Sequence, residues 1–210
     1  MSNTEPRLRK YKNADYEQCE ALVNSAWSFD KNFRPQELAN LAKYMYTKGS
    51  VKGSNYRNVI EVNGKVIGFI FGLNEAENRP GRNIIYGLGV LWRLFRIKNM
   101  ERQSKKKLLS DINTHEINRS KVVDRGRSEI ILFVVGKDHQ GFGYGKALLS
   151  GFLSNCKNSG IKSVIVETNK LGASSFYEKV GFEHIADFDS PLHEYATKGG
   201  QACLYEYMFN

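Results

Sequence analysis

The sequence of 210 residues predicts an α/β (α+β) domain on a central sheet, and three observations carry that expectation. Two strand-like runs, Asn58 to Val62 and Val66 to Leu73, flank Asn63-Gly64, a pair that tolerates the positive φ angles of a two-residue hairpin turn. An unbroken apolar run, Ile130 to Val135, precedes a glycine-rich turn and a helical pattern. A second buried strand pattern, Ser163 to Glu167, closes a unit with the length and order of strand, helix and parallel strand. With 41% hydrophobic and 25% charged residues, the composition is that of one globular domain over 1–210, neither disordered nor fibrous.

In chain order, Arg7 to Tyr11 reads as a short strand. Asp15 reads as the N-cap of a helix with Cys19, Leu22, Val23, Ala26 and Trp27 on one face. A second helix follows Pro35, with Leu38, Leu41, Ala42 and Met45 at helical spacing and Gly49 as its expected stop. After the hairpin, Ile84, Ile85, Leu88, Val90, Leu91, Leu94, Phe95 and Ile97 form an apolar stretch too short for a bilayer, which predicts a buried or interfacial helix. The charged stretch from Lys98 to Arg127 follows, and 83–127 reads as a basic helical insertion: a solvated helical pair, a substrate-covering lid or a basic binding surface. Beyond the apolar run at 130–135, Leu148, Leu149, Phe152, Leu153 and Cys156 predict a helix ending at Gly160. Gly172 to Val180 predicts another helix, and Phe182 to Phe188 and Ala202 to Phe209 predict closing strands.

The net charge of +9 is concentrated: Trp92 to Arg127 holds eleven basic and four acidic residues, leaving about +2 for the rest. Three distant cysteines give no disulfide framework and no CxxC pair, and the four histidines lack metal-ligand spacing, so no metal is expected. No apolar run reaches membrane-spanning length and Met1 to Lys10 has no signal-peptide core, which gives a cytoplasmic expectation.

The turn Gln140-Gly141-Phe142-Gly143-Tyr144-Gly145-Lys146 is the chemically informative segment. Its glycines let backbone amides approach a ligand, and the helix start adds unpaired N–H groups and the positive end of a dipole, so the expected ligand is an anion such as a pyrophosphate. A P-loop is excluded, because Gln140 stands where its first glycine belongs and Ala147 where its hydroxyl belongs. A dinucleotide fingerprint needs a third glycine where Lys146 stands, although Glu167 would serve as a ribose acceptor; that reading stays as a rival.

Gln140-Gly141-Phe142-Gly143-Tyr144-Gly145 resembles the Gln/Arg-x-x-Gly-x-Gly/Ala turn of the GNAT superfamily of acyl-CoA-dependent N-acetyltransferases. Asn169, Ala173, Phe176-Tyr177-Glu178-Lys179 and Gly181-Phe182 resemble that family's second signature. The likeness covers 128–183 and, in outline, 7–74; the stretch 83–127 exceeds the usual pattern. It implies a mixed, mostly antiparallel sheet with a splayed parallel strand pair and flanking helices. It also implies that Phe133, Val134 and Val135 offer backbone to the pantetheine arm, that Gln140 to Lys146 hold the pyrophosphate, and that Asn169 and Ser174 touch the cofactor.

Transfer to an amine needs a base, because an alkylamine with a pKa near about 10.4 is protonated at neutral pH. Glu129 resembles the position of a catalytic glutamate in some members; otherwise it is an exposed strand-end residue. Tyr177 resembles the family's general acid beside the CoA sulfur; otherwise its ring only packs. The backbone N–H near Val134 or Val135 is the expected oxyanion donor. Asn169 binds cofactor or caps a helix. Cys156 lies on an apolar helix face where a thiol is inert, so direct transfer is expected over a covalent relay.

The resemblance therefore implies acetyl-CoA as co-substrate and a primary amine as acceptor. A non-catalytic acyl-CoA sensor is the alternative. The basic stretch has few aromatic residues and no recognised nucleic-acid motif, so a basic face for solubility or an acidic partner explains it at least as well. A free strand edge expected near 201–209 would permit a homodimer.

Overall fold

A computed structural model describes residues 5–78, 81, 84–98, 100–124, 126–169, 172–193 and 201–209. Seven strands form one sheet in the order β1-β2-β3-β4-β5-β7-β6. They are β1 Arg7–Lys10, β2 Tyr56–Val62, β3 Lys65–Leu73, β4 Glu129–Val135, β5 Ser163–Asn169, β6 Glu183–Phe188 and β7 Ala202–Met208. Every neighbouring pair is antiparallel except β4 and β5. The β2–β3 hairpin turns on Asn63 and Gly64 at φ 52° and 74°, as the Asn-Gly pair predicts.

Helices α1 Tyr16–Trp27, α2 Phe29–Asn32 and α3 Gln36–Gly53 cover one face. Cys19, Val23, Phe29, Ala39 and Val51 pack there against Val59, Val66, Phe69, Phe71, Leu132 and Val134. The short α2 has no counterpart among the sequence expectations. On the other face α6 Tyr144–Asn158 buries Leu148, Leu149, Phe152 and Cys156 against Ile60, Ile67, Ile70, Ile130, Val164 and Val166. Tyr177 and Phe182 join that core from α7 Ser174–Lys179 and the turn after it.

Gly49 does not stop α3, which runs on to Gly53. Val51 continues the buried face, and a Cβ at Gly49 would stand 2.7 Å from the Tyr86 hydroxyl, so the glycine serves close approach of the next helix rather than termination. The stretch 83–127 holds two helices, α4 Ile84–Arg96 and α5 Arg102–Ser120; Asn83, Asn99 and Arg125 lie outside the described residues. α4 packs on α3 through Leu94, and Ile97 just beyond it closes with Leu41 into a small core. The anticipated helix from Gly172 begins at Ser174, because residues 172–173 form a turn that returns the Gly172 N–H to the Asn169 carbonyl at 3.1 Å.

The expected free edge at 201–209 is corrected. β7 pairs with β5 along all seven residues and with β6 on its other side, so the sheet ends at β1 and β6. The chain reaches β6 first and then returns to fill the gap beside β5, an insertion that hydrophobic pattern alone does not reveal.

Candidate active site

β4 carries the feature from which the site is built. Phe71 faces Leu132 and Gly72 faces Ile130, so Ile131 is an extra residue in the ladder. A bulge of this kind bends its strand and increases local twist. Pairing of β4 with β5 stops at the same place: Glu129 opposes Ile165, Ile130 opposes Val166, and no further pair forms. β5 is held straight by β7, β4 is turned away by its bulge, and a wedge opens between them from Ile131 onward.

The alternation of a strand decides which groups line that wedge. The Gly136 N–H donates to the Ile67 carbonyl at 2.9 Å, so the even-numbered residues of this half of β4 spend their backbone on β3. Phe133 and Val135 therefore turn N–H and C=O into the wedge, whereas the Val134 amide belongs to the β3 ladder. Of Phe133, Val134 and Val135, the first and last thus turn backbone away from β3.

The turn beneath the wedge runs from Gly136 into α6. Gly141 and Gly143 both adopt φ 82°, and a Cβ at either would meet nothing within 4 Å. Glycine is needed there for conformation, and the space beside it is open. Hydrogen bonds from turn amides end at Gln140 and resume at Ala147, whose N–H reaches the Gly143 carbonyl at 3.0 Å; among the described residues no acceptor meets the amides between. The Gln140 side chain folds back to the Val135 carbonyl at 3.0 Å and ties the turn to the strand end. Phe142 is exposed, Tyr144 stacks near it at 6.0 Å, and Lys146 stands exposed in the first turn of α6. A cradle of free amides with a lysine beside it fits a diphosphate.

Asn169 ends β5 on the far side of the wedge. Its Oδ1 is buried without a hydrogen-bond partner among the described residues, and the N-cap position of α7 is Ala173, so it does not cap that helix. Ser174 opens α7. Tyr177 is 5% exposed, edge-on to Phe176 and Phe182, and no protein group hydrogen-bonds its hydroxyl among the described residues. Burial raises its pKa above the usual phenol value, so it holds its proton.

The opposite face of the apex holds a charged cluster. Glu129 is not the exposed strand-end residue of the alternative: Arg119 from α5 donates to its Oε1 at 2.5 Å and to Glu167 Oε2 at 3.0 Å. His193 Nε2 lies 2.9 Å and His115 Nε2 3.8 Å from Glu167 Oε1, and His115 Nδ1 meets Ser190 Oγ at 2.8 Å. Burial raises the Glu129 pKa, with Glu167 adding to the rise and Arg119 opposing it. Burial pushes Glu167 the same way, but the His193 hydrogen bond and the charges of His115, His193 and Arg119 outweigh it and hold that carboxyl low. Two carboxyls beside one guanidinium are thus driven apart, one towards the protonated form and one firmly ionised. Glu167 appears in the sequence only as a possible ribose acceptor, and Arg119, His115 and His193 lie in no motif. The one signal was a glutamate two residues before Asn169 on a buried strand.

The remaining thiols and histidines carry little. All three cysteines are buried and free, and burial pushes the Cys156 thiol up to about 12, far from a nucleophile's range. His184, Asp187 and Cys203 bring ligand-type atoms within 4.8 Å of one another, a proximity across β6 and β7 that sequence spacing does not reveal. His184 and Asp187 already pair at 2.7 Å.

A seven-stranded mixed sheet whose single parallel pair splays above an amide-lined turn is the architecture of the GNAT acetyltransferases. Residues 97–190 match the family model described as an acetyltransferase (GNAT) domain. Among solved structures, PH1933 of Pyrococcus horikoshii OT3 superimposes with TM-score 0.61 at 18% identity, covering 98% of this chain and 99% of its own. The PaiA N-acetyltransferase of Thermoplasma acidophilum, solved with coenzyme A, gives 0.57 at 15% identity, covering 98% and 100%. The putative acetyltransferase yncA of Salmonella typhimurium, solved with acetyl-CoA, gives 0.54 at 14% identity, covering 99% and 95%. At these identities the likeness is one of fold. No sequence among the curated proteins matches the chain.

Proposed function

We propose that the protein is an N-acetyltransferase that moves the acetyl group of acetyl-CoA to a primary amine by direct attack in a ternary complex. The observation that carries this reading is the wedge between β4 and β5, opened by the Ile131 bulge and standing directly above the free amides of residues 141–146. The diphosphate binds those amides with Lys146 alongside, and the pantetheine arm pairs with Phe133 and Val135 in place of the missing β5 partner. The thioester then lies towards the apex. The Phe133 N–H, nearer the apex than Val135, donates to the oxyanion, in place of the expected donor near Val134 or Val135.

Glu129 is the base. The amine loses a proton to its carboxylate, directly or through water, and the nitrogen lone pair forms the C–N bond at the thioester carbon. When the tetrahedral intermediate collapses the C–S bond breaks, and the thiolate takes the Tyr177 proton. The raised pKa of Glu129 brings it closer to that of the proton it must accept. Glu167, held ionised, keeps Arg119 neutralised while Glu129 carries the proton.

The test is release of free thiol from acetyl-CoA across a panel of small amines, amino acids, polyamines and peptides. Turnover with at least one amine is expected. Coenzyme A binding without thiol release from any of them would make the protein a binding module, and a coenzyme A soak leaving the 141–146 turn empty would end the assignment.

A further inference from the structure

α4 is apolar on two sides. Leu94 is buried against α3, Tyr86 stacks on Tyr44 at 5.7 Å, and the Arg93 guanidinium lies 3.7 Å over the Tyr44 ring, so that side is fixed to the domain. The outward side is a stripe of Ile84, Leu88, Leu91 and Phe95 at intervals of four, three and four residues, broadened by Ile85 and Trp92. Each is more than half exposed, Ile85 and Phe95 by more than four fifths. Six large side chains uncovered together exceed the roughly 300–600 Å² patch of an ordinary monomer.

The surroundings of the stripe decide what covers it. α4 contains no acidic residue, and residues 79–107 hold nine basic side chains against the single acid Glu101. Arg96 reaches over the Trp92 ring at 4.5 Å, and Lys105 of α5 donates to the Ile97 carbonyl at 2.5 Å, which fastens the basic start of α5 to the end of α4. A 13-residue helix is about 20 Å long, and its apolar stripe is bordered by cations along and beyond its C-terminal end. A second copy would have to recruit the basic flanks, and an isologous contact would set them against their own image. An anionic bilayer accepts both parts at once: the apolar stripe enters the acyl boundary while the cations meet headgroups. α4 is too short to cross a membrane, and no described helix qualifies as a span.

We propose that α4 is an interfacial anchor that docks the protein on anionic lipid surfaces, with Ile84, Leu88, Leu91, Trp92 and Phe95 inserted and Arg96, Lys98 and the start of α5 on the headgroups. The proposal does not depend on the acetyl-transfer chemistry.

The test is flotation of the full chain with vesicles of phosphatidylcholine alone or with phosphatidylglycerol at about one part in three. Binding to the anionic vesicles at 0.1 M salt should exceed binding to neutral ones at least tenfold and fall as salt screens the charges. Trp92 emission, taken as the difference from Trp92→Phe, should shift to the blue only with anionic vesicles. Leu88→Gln with Phe95→Gln should abolish flotation while near-ultraviolet circular dichroism and coenzyme A affinity stay unchanged, because both side chains face solvent. Arg96→Gln with Lys98→Gln should weaken flotation and its salt dependence but leave the fold intact. Absence of flotation with anionic vesicles would overturn the proposal. So would a stable dimer in sedimentation that the Leu88/Phe95 variant converts to monomer, or preferential binding of an acidic amphipathic peptide over the vesicles.

Discussion

Replacing Gly143 with alanine separates the backbone of the phosphate turn from everything else in the protein. At φ 82° an L-residue costs about 1–2 kcal/mol, and since a Cβ there meets nothing within 4 Å, no clash adds to it. For a domain of this size that corresponds to a fall in Tm of about 2–8 °C. The cost to the ligand is separate. The new methyl stands in the open cradle, and any relaxation of φ turns a neighbouring amide away from the diphosphate. One hydrogen bond to a charged group, about 1.5–3 kcal/mol, converts to a loss of coenzyme A affinity of about 10- to 100-fold. Gly64→Ala is the control: the hairpin glycine has φ 74°, also with nothing within 4 Å, and lies in the β2–β3 turn away from the site. Calorimetric titration with coenzyme A and thermal unfolding of both variants should give similar Tm losses but an affinity loss only at Gly143. Equal affinities in the two variants would refute the diphosphate assignment.

Three further outcomes follow from the site. Tyr177→Phe should lower kcat by about 10²–10³-fold with little change in coenzyme A affinity or Tm, since the hydroxyl has no partner to lose among the described residues; steady-state kinetics and unfolding curves check both. Glu129→Gln should lower kcat/KM at neutral pH by about 10²-fold and remove the acidic limb of the pH profile, which lies above the ordinary carboxyl range because burial raises this group. The folded state holds this proton more tightly than the unfolded chain does. The stability tied to it is therefore complete below the unfolded pKa and lost as pH rises through the folded one, so Glu129→Gln should be no less stable than the parent at pH 7 in urea titration. Arg119→Met leaves Glu129 and Glu167 facing each other without the guanidinium between them, and about 3 kcal/mol of stability should be lost at neutral pH, with part recovered as acid protonates the carboxyls.

Local chemistry was readable from the sequence wherever it depended on neighbours along the chain. Asn63-Gly64 and the glycines at 141 and 143 require backbone angles that few other residues tolerate, and the structure has them at positive φ. The apolar runs at 130–135 and 163–167 announced buried strands because covered strands lose their alternation. Gly49 misled for the same local reason: a glycine reads as a stop, and only the Tyr86 ring across the helix pair explains its presence inside α3.

Tertiary structure alone decided the site's shape and its electrostatics. The wedge arises because one residue, Ile131, is extra relative to β3 while β7 holds β5 straight, and register between strands far apart in sequence leaves no mark in either strand's own pattern. Glu129, Arg119, Glu167, His115 and His193 come from four separate stretches of chain, and the pKa shifts of the two glutamates exist only once burial removes water from around them. The exposed stripe on α4 follows the same logic. Its apolar residues were plain in the sequence, but which of them α3 would cover was a question only packing could answer.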